Sequence, residues 1–233
     1  FAVIFAKEVY GGTGMNIFNV ALVTRAFIFF AYPSVISGDA VWVADSAIFG
    51  LGADIDGYTQ ATALGVAATS GAAPAWDLNM VWGFIPGSIG ETSVVAIALG
   101  ALILLGTGVA SWKTMLSVFV GGGLMAWVFN QWGNPDNAVA MMPWYQHLAL
   151  GGFCFGAVFM ATDPVTSCRT ECGKYIYGFL IGVVAVLIRV LNPGYPEGMM
   201  LAILLMNLFA PLIDYYVYQA NISKRAKRAL KSK

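Results

Sequence analysis

Residues 199–233 read MMLAILLMNLFAPLIDYYVYQANISKRAKRALKSK. An apolar run of about twenty residues, enough to cross a hydrocarbon core, passes directly into a basic tail. That pairing decides the fold class. A long apolar run ending in Lys and Arg is a membrane-crossing helix whose charged end lies on the cytoplasmic side. The tail holds six of the chain's twelve Lys and Arg residues, although the formal net charge is zero. A basic tail is also a way to hold nucleic acid, but directly after an apolar helix it marks sidedness, so no nucleic acid is expected as a partner.

The pattern repeats toward the N-terminus. Asn16–Ile36, Thr92–Ala110, Trp112–Phe129, Trp144–Thr162 and Tyr175–Leu191 are further apolar runs, and Met199–Tyr218 closes the series. Pro and Gly in GNPDN (133–137), TDPV (162–165) and NPGYPEG (192–198) stop the helices between them. Hydrophobic residues make up 59%, charged residues 10%, and the mean hydropathy is +0.74. A soluble domain carries about 25% charged residues. The expected fold class is therefore an all-α polytopic membrane protein; the alternating strands of an outer-membrane barrel are not seen. The opening FAVIFAKEVYGG reads as the end of an apolar helix, so more membrane helices are expected before it.

Counting back from the tail puts Lys7, Lys113, Arg169 and Lys174 inside and residues 37–91 outside. Arg25, in the middle of a span, needs a partner or an anionic ligand. Arg189, near an outer end, does not follow the count. Cys154, Cys168 and Cys172 form no CxxC pair; Cys168 and Cys172, in the inner loop CRTEC, are expected as reduced thiols rather than as an iron or zinc ligand pair.

Several residues could carry chemistry. In PGSIGETS (86–93), Ser88 and Glu91 have capping-box spacing ahead of an apolar run, while Gly87 and Gly90 allow close backbone approach. A capped helix start also offers N–H groups to an anion. Among acids near the membrane, Asp163 is expected to cap its loop and Glu197 to be solvated in its turn. Asp214, inside the last run in APLIDYY, is the candidate ion or proton site. His147, the single histidine, follows PWYQ and is expected at headgroup level; no protein-built metal or haem site is supported. GGTGMN and GGGLMAW follow no strand and are not nucleotide loops. The runs after GGTGMN and YPEGMM share a Gly-Met step and point in opposite directions, which suggests inverted repeats. DGYTQATALG (56–65), a Thr-rich turn with an acidic lead-in at the bilayer edge, is either an ordinary loop or a place where something is attached.

KEVYGGTGMNIFNVALVTRAFIFFAYPSVISGDAVW, GFIPGSIGETS, MPWYQHLALGGFCFGAVFMATDPVTS and NPGYPEGMMLAILLMNLFAPLID together resemble the B-type subunit of the sodium-translocating NADH:quinone reductases. The related D-type subunit of the Rnf electron-transport complex shares PGSIGETS and DPVT. The resemblance runs from about residue 7 to residue 215. It implies a bundle of two inverted five-helix repeats, similar to urea transporters. Residues 1–91 would be the end of the first repeat plus an external flavin-attachment loop. Residues 92–218 would be the second repeat, and residues 219–233 the basic cytoplasmic tail.

The family's flavin motif, Asp-Gly-Tyr-Ser-Gly-Ala-Thr, matches here at Asp56, Gly57, Tyr58, Ala61 and Thr62. Thr59 stands for Ser, and Gln60 departs from Gly. By resemblance, Thr62 carries FMN through a phosphoester, with Asp56, Gly57, Ala61, Ser88 and Gly90 around it. Asn16 and Asn19, read as i and i+3 on one helical face, resemble positions near a non-covalent riboflavin. Asp214 matches an acidic position in the family's PLID-type motif, and as a carboxylate at the end of an apolar run it is the Na⁺ candidate. The implied activity is that of an oxidoreductase subunit in the bacterial inner membrane. It passes electrons from FMN and riboflavin toward quinone, coupled to Na⁺ export, beside the other subunits and after a flavin transferase has acted. An Rnf-type electron-transport subunit or a passive urea- or ammonium-type channel is the alternative, and DGYTQAT favours the redox reading.

Overall fold

The computed structural model describes residues 1–32, 41–43, 58–88, 90–192, 194–195 and 197–231. It begins with α1 (Ala2–Ala6), a 3₁₀ turn (Glu8–Tyr10) and α2 (Val20–Ala31). Two short strands follow, β1 (Val41–Val43) and β2 (Tyr58–Gln60), then α3 (Ala63–Ser70), α4 (Asn79–Trp82) and α5 (Val94–Gly106). The second half contains α6 (Trp112–Trp132), α7 (Ala138–Met141), α8 (Trp144–Ala149) and α9 (Phe153–Phe155), which runs into a π turn (Gly156–Met160). α10 (Glu171–Leu191) and α11 (Met199–Lys231) complete it.

Among the described residues, three helices are long and apolar enough to cross a membrane: α6, α10 and α11. The expectation of a helical membrane protein holds. The addition is one antiparallel ladder that pairs Val41 with Gln60 and Val43 with Tyr58.

α10 is central, packed on α6 and on α11. Lipid is as apolar as Leu, so burying apolar surface does little to bring helices together in a bilayer. Close backbone approach does more. A Cβ on Gly178 would collide with Ser117 Oγ, and one on Gly182 with the Val118 carbonyl oxygen. These two glycines, four apart, form the groove that takes α6. Tyr177, Ile181, Ala185 and Val186 then meet Ala202, Ile203 and Met206 of α11 in the core.

Four of the boundaries that differ from the sequence expectation bear on the site. The Asn16–Ile36 run becomes helical only at Val20, because the Asn19 side chain accepts from the Ala21 and Leu22 N–H groups and caps the helix. Asn16 therefore precedes the helix, donating to the Phe18 carbonyl, and the two asparagines do not share a helical face. The helix after PGSIGETS is capped by Ser93, whose Oγ accepts from Ala96 N at 3.3 Å. Among the described residues Ser88 Oγ makes no capping bond; one arm of the expected box remains, with Ser88 N–H donating to Glu91 Oε1 at 3.0 Å. Ser93→Ala should lower stability by about 1 kcal/mol, whereas Ser88→Ala should leave α5 unaffected. Thermal unfolding of the two variants in detergent distinguishes them.

The Trp144–Thr162 run is not one span. Gly151 and Gly152 take φ values of +65° and +64°, a left-handed step that ends α8 and restarts the chain as α9 and the π turn. Finally, α11 does not stop at Tyr218 but continues as helix to Lys231.

Candidate functional site

Thr62 follows the ladder by two positions from Gln60 and is the N-cap of α3. Its Oγ1 accepts from Gly65 N–H at 3.1 Å. A short hydroxyl side chain is what this position favours, because it reaches back to an unpaired amide of the first turn. Thr62 is 6% exposed and lines a shallow cleft with Pro86, Gly87, Glu91, Thr92 and Gly151. Ala61 before it is half-buried, and Gly90 is exposed with φ +86°. Asp56 and Gly57 lie outside the described residues.

A second crevice shares Glu91 and Gly151 with the first and adds Arg25, Tyr195 and Glu197. Arg25 has found its partner: its Nη2 lies 3.0 Å from Glu197 Oε2 and ties α2 to the turn before α11. Glu197 is thus ion-paired rather than simply solvated. Burial pushes its carboxyl upward and the nearby Glu91 carboxylate adds to this, opposed by Arg25 and Arg189.

Arg189, in the last turn of α10, is 1% exposed. Its Nη1 donates to the His147 carbonyl at 2.6 Å, and Nη2 reaches the Leu150, Gly151 and Glu197 carbonyls at 3.2, 3.3 and 3.3 Å. Backbone that leaves the helix at membrane depth must find partners inside the protein. A guanidinium with five donors in a fixed fork can serve several such carbonyls at once. This accounts for a cation that charge counting could not place. His147 belongs to the same layer and is fully buried within the protein.

At the opposite end of α10, Asp214 Oδ2 accepts from Arg169 N–H at 2.8 Å, and Oδ1 accepts from Thr170 N–H at 3.1 Å and from the Thr170 hydroxyl. Glu171 bridges Lys113 and Lys174 beside it. Lys113, Arg169 and Lys174, counted to one side from the sequence, do share one end. About 27 Å of helix separates Glu171 from Arg189 at 1.5 Å per residue, so the Thr62 cleft and the Asp214 clamp sit at opposite ends of the span.

Between them lies a polar cluster that the sequence reading did not assemble. Asp163 Oδ1 accepts from Val165 N–H and Oδ2 from the Thr166 hydroxyl, as its expected capping role requires. Asn19 Nδ2 also reaches Asp163 Oδ2, at 3.4 Å. Asn207 and the Tyr177 hydroxyl are 2.7 Å apart. With the Asn207 amide turned so that its nitrogen faces Ile203 O and Tyr177 Oη, its oxygen accepts from Asn19 N–H at 3.1 Å. Asn207 and Tyr177 are the missed members. The available signal was an amide in the middle of an apolar run, which a bilayer tolerates only with a partner.

The cap chemistry at Thr62 is compatible with a phosphate ester. The cap bond uses the hydroxyl oxygen as acceptor and does not need its proton, so esterification leaves that oxygen in place. A phosphate there would meet the N–H groups at the start of α3.

Long apolar helices, an interrupted span held by a buried cation and a hydroxyl-lined cleft at one end define a polytopic membrane protein built on broken helices. The chain belongs to the NQR2, RnfD, RnfE family, whose model matches residues 1–223. It is 55% identical over 232 residues to the B-type subunit of the Na(+)-translocating NADH-quinone reductase of Chromohalobacter salexigens, covering 98% of this chain and 54% of that protein. The corresponding subunit of Pseudomonas aeruginosa PAO1 is 50% identical over 233 residues, and that of Azotobacter vinelandii 51%; each comparison covers 98% of this chain and 55% of the relative. The chain spans about half the length of these curated relatives.

Proposed function

We propose that this chain is part of the membrane subunit of a sodium-translocating NADH:quinone reductase and that Thr62 carries FMN through a phosphoester. What supports the attachment is the Thr62 side chain itself, an N-cap hydroxyl on a residue that lines a cleft at one end of the bundle. The bound flavin would supply the electron chemistry. The chain holds it in place: α3 offers N–H groups to the phosphate, while Glu91, fixed by Ser88 N–H, and Gly151, fixed by Arg189, form the facing walls.

In this reading, Thr62 lies on the external side of the bacterial inner membrane and the α11 C-terminus in the cytoplasm. The described helices belong to two inverted repeats divided as residues 1–91 and 92–218. Riboflavin lies near Asn16, with Asn19 shaping the start of α2 beside it. Electrons pass on toward quinone with the help of the other subunits, after a flavin transferase has loaded Thr62. Intact-mass analysis of protein made in cells that load the flavin tests the attachment. The expected result is a mass increase equal to FMN less one water; an unmodified chain would remove the proposal.

Asp214 takes part in sodium coupling in the same reading. A carboxylate has roughly four lone-pair positions, and three donors already occupy Asp214. One acceptor direction remains for a hard cation. Asp214→Asn should raise the Na⁺ concentration needed for half-maximal turnover several-fold while flavin content is unchanged. An unaltered sodium dependence together with a lower unfolding temperature would leave Asp214 only as the clamp on α10.

A further inference from the structure

The part of α11 beyond the Asp214 clamp stands out from the helix bundle: from Tyr215 to Leu230 its residues are exposed, apart from the half-buried Val217. About 22 Å of helix therefore continues past the charged end of the bundle, at 1.5 Å per residue. The continuation is two-sided. At 100° per residue, Lys224, Arg225, Lys227 and Arg228 fall on one half of the helix, and Ile222, Ala226 and Leu230 on the other. Ile222 and Leu230 are 59% and 76% exposed. Tyr215, Tyr216 and Tyr218 are exposed where the apolar span ends, the place where aromatic side chains settle at a membrane–water interface.

We propose that the stretch from Asn221 to Leu230 is a docking surface for anionic phospholipid headgroups of the leaflet it emerges from. Three observations fit that occupant together. The four cations contain no acid among them, so they complement a negatively charged surface. The opposite stripe is apolar and exposed at Ile222 and Leu230, as in helices that lie in the interfacial plane. The tyrosines fix the segment at the depth where headgroups begin. α11 is continuous here, so lying on the leaflet with Ile222 and Leu230 toward the acyl chains requires it to bend between Tyr218 and Asn221 on docking. The inference concerns this segment alone and does not depend on flavin attachment at Thr62.

The test is amide hydrogen exchange on the full-length protein in nanodiscs, one set of phosphatidylcholine and one containing phosphatidylglycerol. The wild type is compared with a variant carrying K224Q, R225Q, K227Q and R228Q. Gln is a helix former close to Lys and Arg, so the variant keeps its helix. Amides from Ile222 to Leu230 are expected to exchange at least tenfold more slowly in anionic discs than in neutral ones. The difference should shrink at 0.5 M salt, where surface charges are screened, and vanish in the variant. Equal exchange in both lipids would overturn the proposal. So would protection that appears only when partner subunits are added, which would make the occupant a protein.

Discussion

Thr62→Ala is expected to yield protein with no covalent flavin, seen as a band without fluorescence after denaturing electrophoresis. Thr59→Ala, at the neighbouring hydroxyl of the motif, should keep the label. Removing the cap also costs about 1 kcal/mol, so loss of label in the Ala variant could reflect a loosened α3. Two further variants separate the effects. Thr62→Ser retains both cap and hydroxyl and should stay fluorescent. Thr62→Asn retains a capping oxygen without an esterifiable hydroxyl, because Asn is among the best N-cap residues. It should keep wild-type stability and lose the flavin completely. A fluorescent Thr62→Asn protein would move the attachment elsewhere.

Arg189→Met should be the most destabilising substitution of a single polar group in the described structure. Met fills comparable space but donates nothing, so the carbonyls of His147, Leu150, Gly151 and Glu197 lose their common donor. A buried polar group left without a partner costs about 1–3 kcal/mol. With several affected, a loss of at least about 3 kcal/mol is expected even after some relaxation. Arg189→Lys should fall between, since an ammonium has three donors but lacks the planar fork. Thermal unfolding in one detergent ranks the three proteins. An Arg189→Met protein that unfolds with the wild type would show that the break between α8 and α9 is held by something else.

The sequence made the long spans legible because hydropathy and length suffice for them. Trp112–Phe129, Tyr175–Leu191 and Met199–Tyr218 correspond to α6, α10 and the first part of α11. It misjudged Trp144–Thr162 for a specific reason. The apolar average is blind to backbone conformation, and nothing in LALGGF states that both glycines turn left-handed. Ser88 and Ser93 both carry cap-type hydroxyls ahead of the same run, and local spacing chose the wrong one. The partners of Arg25, Arg189 and Asp214 were out of reach because each lies in a different element. Glu197 is 172 positions from Arg25, and Thr170 is 44 from Asp214. For Arg25 alone, an ionisable residue inside an apolar run signalled that a partner must exist. Thr62 was legible as a motif residue, but its capping role needed α3 to be seen.

The clamp at Arg189 also has a meaning in time. The chain is made from its N-terminus, so α8, the Gly151–Gly152 step and the π turn are synthesised before the residue that serves their carbonyls. Until α10 has been threaded into the bilayer as far as its last turn, the His147, Leu150 and Gly151 carbonyls lack the Arg189 donor that serves them among the described residues. The interrupted segment must wait at the insertion machinery or at the water boundary. A chain cut short before residue 189 should therefore fail at integration rather than give a shorter but stable bundle.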